Sequence, residues 1–177
     1  MRRTDIEKYL NVLGKTLKKE CKNTGYQIEL IIVGGASIIL NYSFRESSND
    51  IDAYTDKLIS IKEVINKITD EYKLNAKWLN SDFTKTTSFS KKLRQCAKPY
   101  KIYHNTLRVY TVAEEYLICM KLIAFRIDRH DLDDIVGIIK NSENNITYDK
   151  IDAAMIQLYG SWDRVSDNAK LFIKSMF

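Results

Sequence analysis

The sequence is short of the residues that build turn-rich or stapled proteins. Six glycines and a single proline, Pro99, among 177 residues argue against an all-β barrel or sandwich, which spends such residues on its many turns. Cysteine is scarce too. Cys21, Cys96 and Cys119 are odd in number, far apart and without a CxxC pair, against both a disulfide framework and a cysteine zinc site. With only His104 and His130 beside them, a His/Cys-ligated metal is hard to assemble. Any divalent ion must rest on carboxylates, which suits magnesium, manganese or calcium. The apolar run at residues 30–33 falls far short of the roughly 20 residues a membrane helix needs. The opening Met-Arg-Arg-Thr-Asp leads into a charged amphipathic stretch rather than an apolar signal region. No membrane partner is expected, and the cytoplasm is the expected compartment.

What is present is a globular composition: 45% apolar, 29% charged and 11% aromatic residues. The length suits one domain, or one with a small appendage, and is enough to bury a core unaided. Net charge is +5, and its placement matters more than its size. Residues 83–113 contain no acid, yet hold Lys85, Lys91, Lys92, Arg94, Lys98, Lys101 and Arg108. The rest of the chain is therefore close to balanced. Such a segment is either an ordinary solvated face or the footprint of a phosphate-rich partner. Phe89, Tyr100 and Tyr103, interleaved with the bases, favour the phosphate-rich partner, a nucleic acid or nucleotide, because nucleobases stack on aromatic rings.

Periodicity predicts a helix over 4–21, a buried strand over 27–33, a short helix over 36–42, a polar loop over 43–49 and a strand over 50–54. Ser60 and Glu63 have the spacing of a capping box opening a helix to about residue 72. Thr111 and Glu114 repeat that pattern before an apolar helix to about residue 126. Further strands are expected over 77–79 and 107–110, and helices over 131–139, 147–159 and 163–176. The pattern is α/β (α+β): a core over 1–111 with a small mixed sheet, then a helical part over 112–177 packed on it.

One constellation carries chemistry. A hydrophobic strand ends in Gly34-Gly35-Ala36-Ser37, a short helix follows, then a polar loop with Arg45, then Asp50-Ile51-Asp52. Glycines at a strand end let the backbone approach a phosphate, and free N–H groups at the next helix start favour an anion. Strand alternation puts Asp50 and Asp52 on one side, where two carboxylates can hold a divalent ion at a phosphoryl centre. Arg45 can steady a triphosphate through two parallel bonds. Each part also has an ordinary use: a Gly-Gly turn, two surface acids, Ser37 as a helix cap.

In this order and spacing the motif resembles the nucleotidyltransferase-fold superfamily, the fold of DNA polymerase beta. The resemblance implies Mg²⁺ (or Mn²⁺) on Asp50 and Asp52, nucleoside triphosphate at Gly34, Gly35 and Ser37, and nucleotidyl transfer with release of pyrophosphate. The closer likeness is to a bacterial branch containing abortive-infection toxins of the type IV toxin–antitoxin kind and uncharacterised relatives. It rests on Met120-Lys121-Leu122 followed by Arg129-His130-Asp131-Leu132-Asp133-Asp134-Ile135. It implies that Lys121 contacts triphosphate or acceptor, that Asp131 or Asp134 is a further catalytic or structural acid, and that an antitoxin protein is a partner. Trp78-Leu79-Asn80 also resembles a segment of those relatives. The superfamily's third metal-binding carboxylate has one nearby candidate, Asp82. The acceptor hydroxyl, on RNA or tRNA, a small molecule or a protein, is not fixed by these residues. The alternative is a degenerate fold that binds nucleotide or nucleic acid without turnover.

The ordinary readings of the later residues are a Lys121 that snorkels from an apolar face and first-turn acids at 131, 133 and 134 that complement a helix dipole. His104 and His130 read as surface residues. A phosphatase that uses DxD ends an apolar strand on its first Asp, whereas here the polar residues 45–49 precede Asp50. A dinucleotide fold needs GxGxxG, which Val33-Gly34-Gly35-Ala36 does not supply.

Overall fold

The alternation of apolar residues decides which face of the sheet is packed. The computed structural model describes residues 1–20, 27–126 and 130–177. Its elements are α1 (Arg3–Glu20), β1 (Ile28–Ile32), α2 (Gly34–Asn41), β2 (Ile51–Tyr54), α3 (Leu58–Tyr72), β3 (Leu79–Asn80), β4 (Ala97–Tyr103), β5 (Leu107–Val112), α4 (Glu114–Ala124), α5 (Asp131–Asn141), α6 (Tyr148–Tyr159) and α7 (Asp167–Lys174). Single 3₁₀ turns occupy Asp82–Lys85 and Leu93–Cys96. The sheet is mixed and five-stranded, in the order β3-β2-β1-β5-β4. β1 pairs antiparallel with β2 and parallel with β5, and β2 pairs parallel with β3. This is the α/β class that the sequence predicts. Among the described residues no helix is long and apolar enough to cross a membrane.

The chain divides into two compact units. The first comprises Met1–Asp82 with Lys98–Thr111, and the second Phe83–Ala97 with Val112–Phe177. In the first, register places Ile28, Leu30 and Ile32 beside Leu107, Val109, Ile51, Ala53 and Leu79 on one buried sheet face. That face joins a core with Ile6, Leu10 and Leu13 of α1 and Ile61, Val64 and Ile68 of α3. α1 lies so close to β4 that a Cβ on Gly14 would stand 2.7 Å from the Tyr103 Cβ. β4 and β5 are joined by a tight turn in which Thr106 N donates to Tyr103 O. Its central residues, His104 and Asn105, have φ of 55° and 57°, as the turn favoured in two-residue hairpins requires.

In the second unit α4 is the central helix, and α5, α6 and α7 all touch it. Seven successive residues, Leu117 to Ile123, are buried, as in a helix surrounded by partners. This corrects the expectation of a single apolar side. Side-chain caps begin α6 at Thr147 and α7 at Ser166, so α7 starts later than residue 163.

Neither expected capping box forms. α3 starts at Leu58, ahead of Ser60, and α4 starts after Ala113; neither has a side-chain cap. Thr111 is still in β5, where its hydroxyl donates to Asn41 Oδ1 at 3.4 Å. The predicted last residue of the first helix, Cys21, and Arg129 of the second motif lie outside the described residues.

Candidate functional site

The site residues in the first unit are positioned by β1, β2, β3 and the start of α2. Val33 N donates to Asp52 O at 2.9 Å, so the end of β1 is tied to β2 where the chain turns into α2. Gly34 makes that turn with φ of +61°, a left-handed conformation that side chains disfavour. Its ideal Cβ position lies 3.7 Å from Asp52 Oδ2. The glycine turn and the second acid of the DxD pair are thus one locus.

Gly35 serves a different need. A Cβ there would lie 2.8 Å from both Cζ and Nη2 of Arg45. The guanidinium therefore packs on bare backbone, steadied by an Nε bond to Ser47 O at 3.2 Å. Arg45 also lines a cavity of about 500 Å³, together with Arg2, Arg3, Tyr42 and Glu46. Ser37 lies within α2 and is fully buried. Gly34, Gly35 and Arg45 are brought together as expected, whereas Ser37 is internal to the helix.

The acids occupy the less buried sheet face. Asp52 points away from Ile51 and Ala53, which are in the core. Asp50 stands just before β2 on the same side, as its bond to β3 demonstrates: Asn80 Nδ2 donates to Asp50 Oδ2 at 3.1 Å. Asn80 is in register with Asp52, so those two side chains share a face. β3 is held in place by Trp78, which is 1% exposed and donates from Nε1 to Thr69 Oγ1 at 3.0 Å. The Trp78 carbonyl also accepts from Ile51 N at 2.7 Å.

Asp82, the expected third acid, begins a 3₁₀ turn, and its Oδ2 meets Lys77 Nζ at 2.7 Å. That contact raises the Lys77 pKa, through the hydrogen bond and charge of Asp82. Among the described residues no group of three His, Cys, Asp or Glu is arranged to hold a metal. Asp50 and Asp52 alone form an acidic pair of hard oxygen donors, a set that fits Mg²⁺ or Mn²⁺ when waters and phosphate oxygens complete the shell. Asn80, an uncharged neighbour of the pair, is not singled out by a sequence pattern of acids. The legible signal was a polar residue directly after buried Trp78 and Leu79.

Lys121, Asp131 and Asp134 assemble separately within the second unit. Lys121 Nζ lies 2.7 Å from Asp131 Oδ1 and 2.7 Å from Asp134 Oδ2, with all three side chains at most 7% exposed. Asp131 Oδ2 also accepts from Arg126 N at 2.9 Å and Arg126 Nε at 3.1 Å. Burial alone would raise the Asp131 pKa. The hydrogen bonds from Arg126 and the charge of Lys121 outweigh it and hold the carboxyl below the ordinary aspartate value. Two cations and two anions make a neutral set. Burial is also the main cause raising the Cys96 thiol to about 12 and the Cys119 thiol well above its ordinary value, so neither is poised as a nucleophile.

The basic segment is shared between the units: residues 83–97 lie in the second and 98–111 in the first. Within the second it is tied down by Ser90 Oγ donating to Leu158 O at 2.7 Å and Tyr159 Oη to Ser88 O at 2.6 Å. Lys91, Lys92 and Arg94 remain exposed.

The sequence matches, over residues 9–164, the family described as nucleotidyltransferase of unknown function (DUF6036). The chain belongs to that family. No curated protein and no solved structure matches it.

Proposed function

We propose that the protein transfers a nucleoside monophosphate from a nucleoside triphosphate to a hydroxyl acceptor, with release of pyrophosphate. The observation that carries this reading is the adjacency of Asp52 Oδ2 and the positive-φ Gly34 at the start of α2, which puts anion-binding backbone and metal-type acid at one point. The N–H groups at the head of α2 receive phosphate oxygens. Arg45, already seated on Gly35, neutralises their charge. Mg²⁺ or Mn²⁺ held by Asp50 and Asp52 would lower the acceptor's pKa and offset charge at the α-phosphorus. The acceptor oxygen forms its bond to that phosphorus, the bond to the bridging oxygen of pyrophosphate breaks, and the acceptor proton passes to solvent.

Lys121, Asp131 and Asp134, with Arg126 balancing the second carboxylate, enter the proposal as a neutral set. A phosphate contact by Lys121 requires exchange of one of its two carboxylates for the phosphate. The exposed bases of residues 83–113 suit RNA or tRNA as acceptor. The toxin–antitoxin role, an antitoxin partner and a cytoplasmic setting belong to the same proposal, on the likeness of the second motif to that branch.

The test is incubation with each α-labelled nucleoside triphosphate, Mg²⁺, total tRNA and protein, followed by a search for labelled product. Asp50→Asn and Asp52→Asn should abolish labelling while the fold persists. A second reading, nucleotide binding without turnover, is favoured by one observation: an amide, Asn80, stands in register beside the DxD pair. Bound nucleotide with no labelled product would select it.

A further inference from the structure

We infer that Asn80 orients Asp50 and keeps the acidic pair one charge short, so that a divalent cation enters together with the triphosphate rather than ahead of it. This rests on the nucleotidyl-transfer reading of the same site.

The three hydrogen bonds of the carboxamide fix which way it faces. Asp82 N can only donate, and it reaches Asn80 Oδ1 at 2.8 Å. The Lys77 carbonyl can only accept, and it takes Asn80 Nδ2 at 3.0 Å. The remaining N–H therefore points at Asp50 Oδ2, 3.1 Å away. Asn80 Oδ1 accepts from the backbone at Asp82 N and, being an amide oxygen, adds no charge to the acidic pair. The amide acts on the site through Asp50, as a positioning residue, and its own backbone is held by pairing with β2.

The consequence is one of charge and ligand number. Asp50 and Asp52 supply two negative charges where an acid at position 80 would make three. A cation with six oxygen sites finds two protein carboxylates among the described residues, and affinity follows the charge and number of ligands. Triphosphate oxygens provide the missing negative ligands, so ion and nucleotide should each strengthen the binding of the other by the same factor.

The experiment is Mn²⁺ titration of the full chain, followed by electron paramagnetic resonance, with and without a non-hydrolysable nucleoside triphosphate analogue. Wild type should bind Mn²⁺ at least about tenfold more tightly with the analogue. Asn80→Asp keeps the acceptor for Asp82 N and adds a charge, so it should raise nucleotide-free affinity by about tenfold or more. Asn80→Ser, uncharged and smaller, should weaken analogue-dependent binding severalfold without a matching fall in melting temperature. It decides the matter should Asn80→Asp not fold. Mn²⁺ binding by wild type that ignores the analogue, or an Asn80→Asp affinity equal to wild type, overturns the inference alone. Absence of Mn²⁺ binding by wild type under both conditions, with Asp52→Asn indistinguishable, overturns the underlying reading and the inference with it.

Discussion

Arg45 occupies the space that a side chain on Gly35 would need: a Cβ there would fall 2.8 Å from the guanidinium carbon. Gly35→Ala must therefore push away the far end of a flexible side chain, which costs little stability. The penalty should appear in nucleotide binding, because Arg45 would no longer sit on the turn. Loss of one charge-assisted contact, about 1.5–3 kcal/mol, predicts a KM for triphosphate raised about tenfold or more. A melting temperature near that of wild type with this rise in KM is the expected pair of results. An unchanged KM would remove Arg45 from the site.

Gly14 gives the opposite outcome. Its hypothetical Cβ meets the Tyr103 Cβ at 2.7 Å, an atom fixed to the backbone of β4. Gly14→Ala should destabilise by about 1–3 kcal/mol, the usual cost of overpacking. Urea unfolding should show a lower midpoint and an unchanged slope.

The Lys121 cluster should govern acid stability. The Asp131 pKa is lowered in the folded protein, so its contribution is complete above the ordinary aspartate value, about 3.9. It is lost as pH falls through the lower folded value. Wild type should therefore lose stability below about pH 4, and Asp131→Asn should show a flatter profile there. At neutral pH the variant should be less stable by about 1–3 kcal/mol, because charge-assisted bonds from Lys121 and Arg126 are weakened while Asp134 still pairs with Lys121. Chemical denaturation at several pH values measures both.

RNA binding at the basic segment has a salt signature. For single-stranded contacts the log–log slope is about −0.7 per phosphate. Neutral replacement of Lys91, Lys92 and Arg94 should weaken tRNA binding and flatten that slope, while triphosphate affinity changes much less. Identical slopes for wild type and triple variant would make the segment an ordinary solvated surface.

The strand, double glycine, helix and DxD pair were legible in sequence because each is a local pattern: an apolar run, a backbone freedom, a period of two. The capping boxes mislead for a reason that is not local. Thr111 has the right neighbour at Glu114, but its backbone still belongs to β5 and its hydroxyl is taken by Asn41, a partner 70 residues away. The resemblance gives Lys121 a triphosphate or acceptor contact, while the periodicity of α4 by itself does not show that two acids from α5 enclose it. Asn80 is not legible as a site residue because it carries no charge and its position depends on the register of β3 against β2.

The order of the strands also governs how the protein resists self-association. The two lateral margins of the sheet are β3 and β4. β3 is only two residues long, too short to template another chain. β4 is seven residues long and carries exposed Lys98, Pro99 and Lys101. A proline withholds a donor and lysines repel an incoming copy, the usual means of blunting an edge strand. The chain's single proline thus stands on the longer of the two edge strands, where it and the two lysines disfavour extension of the sheet by a neighbouring molecule.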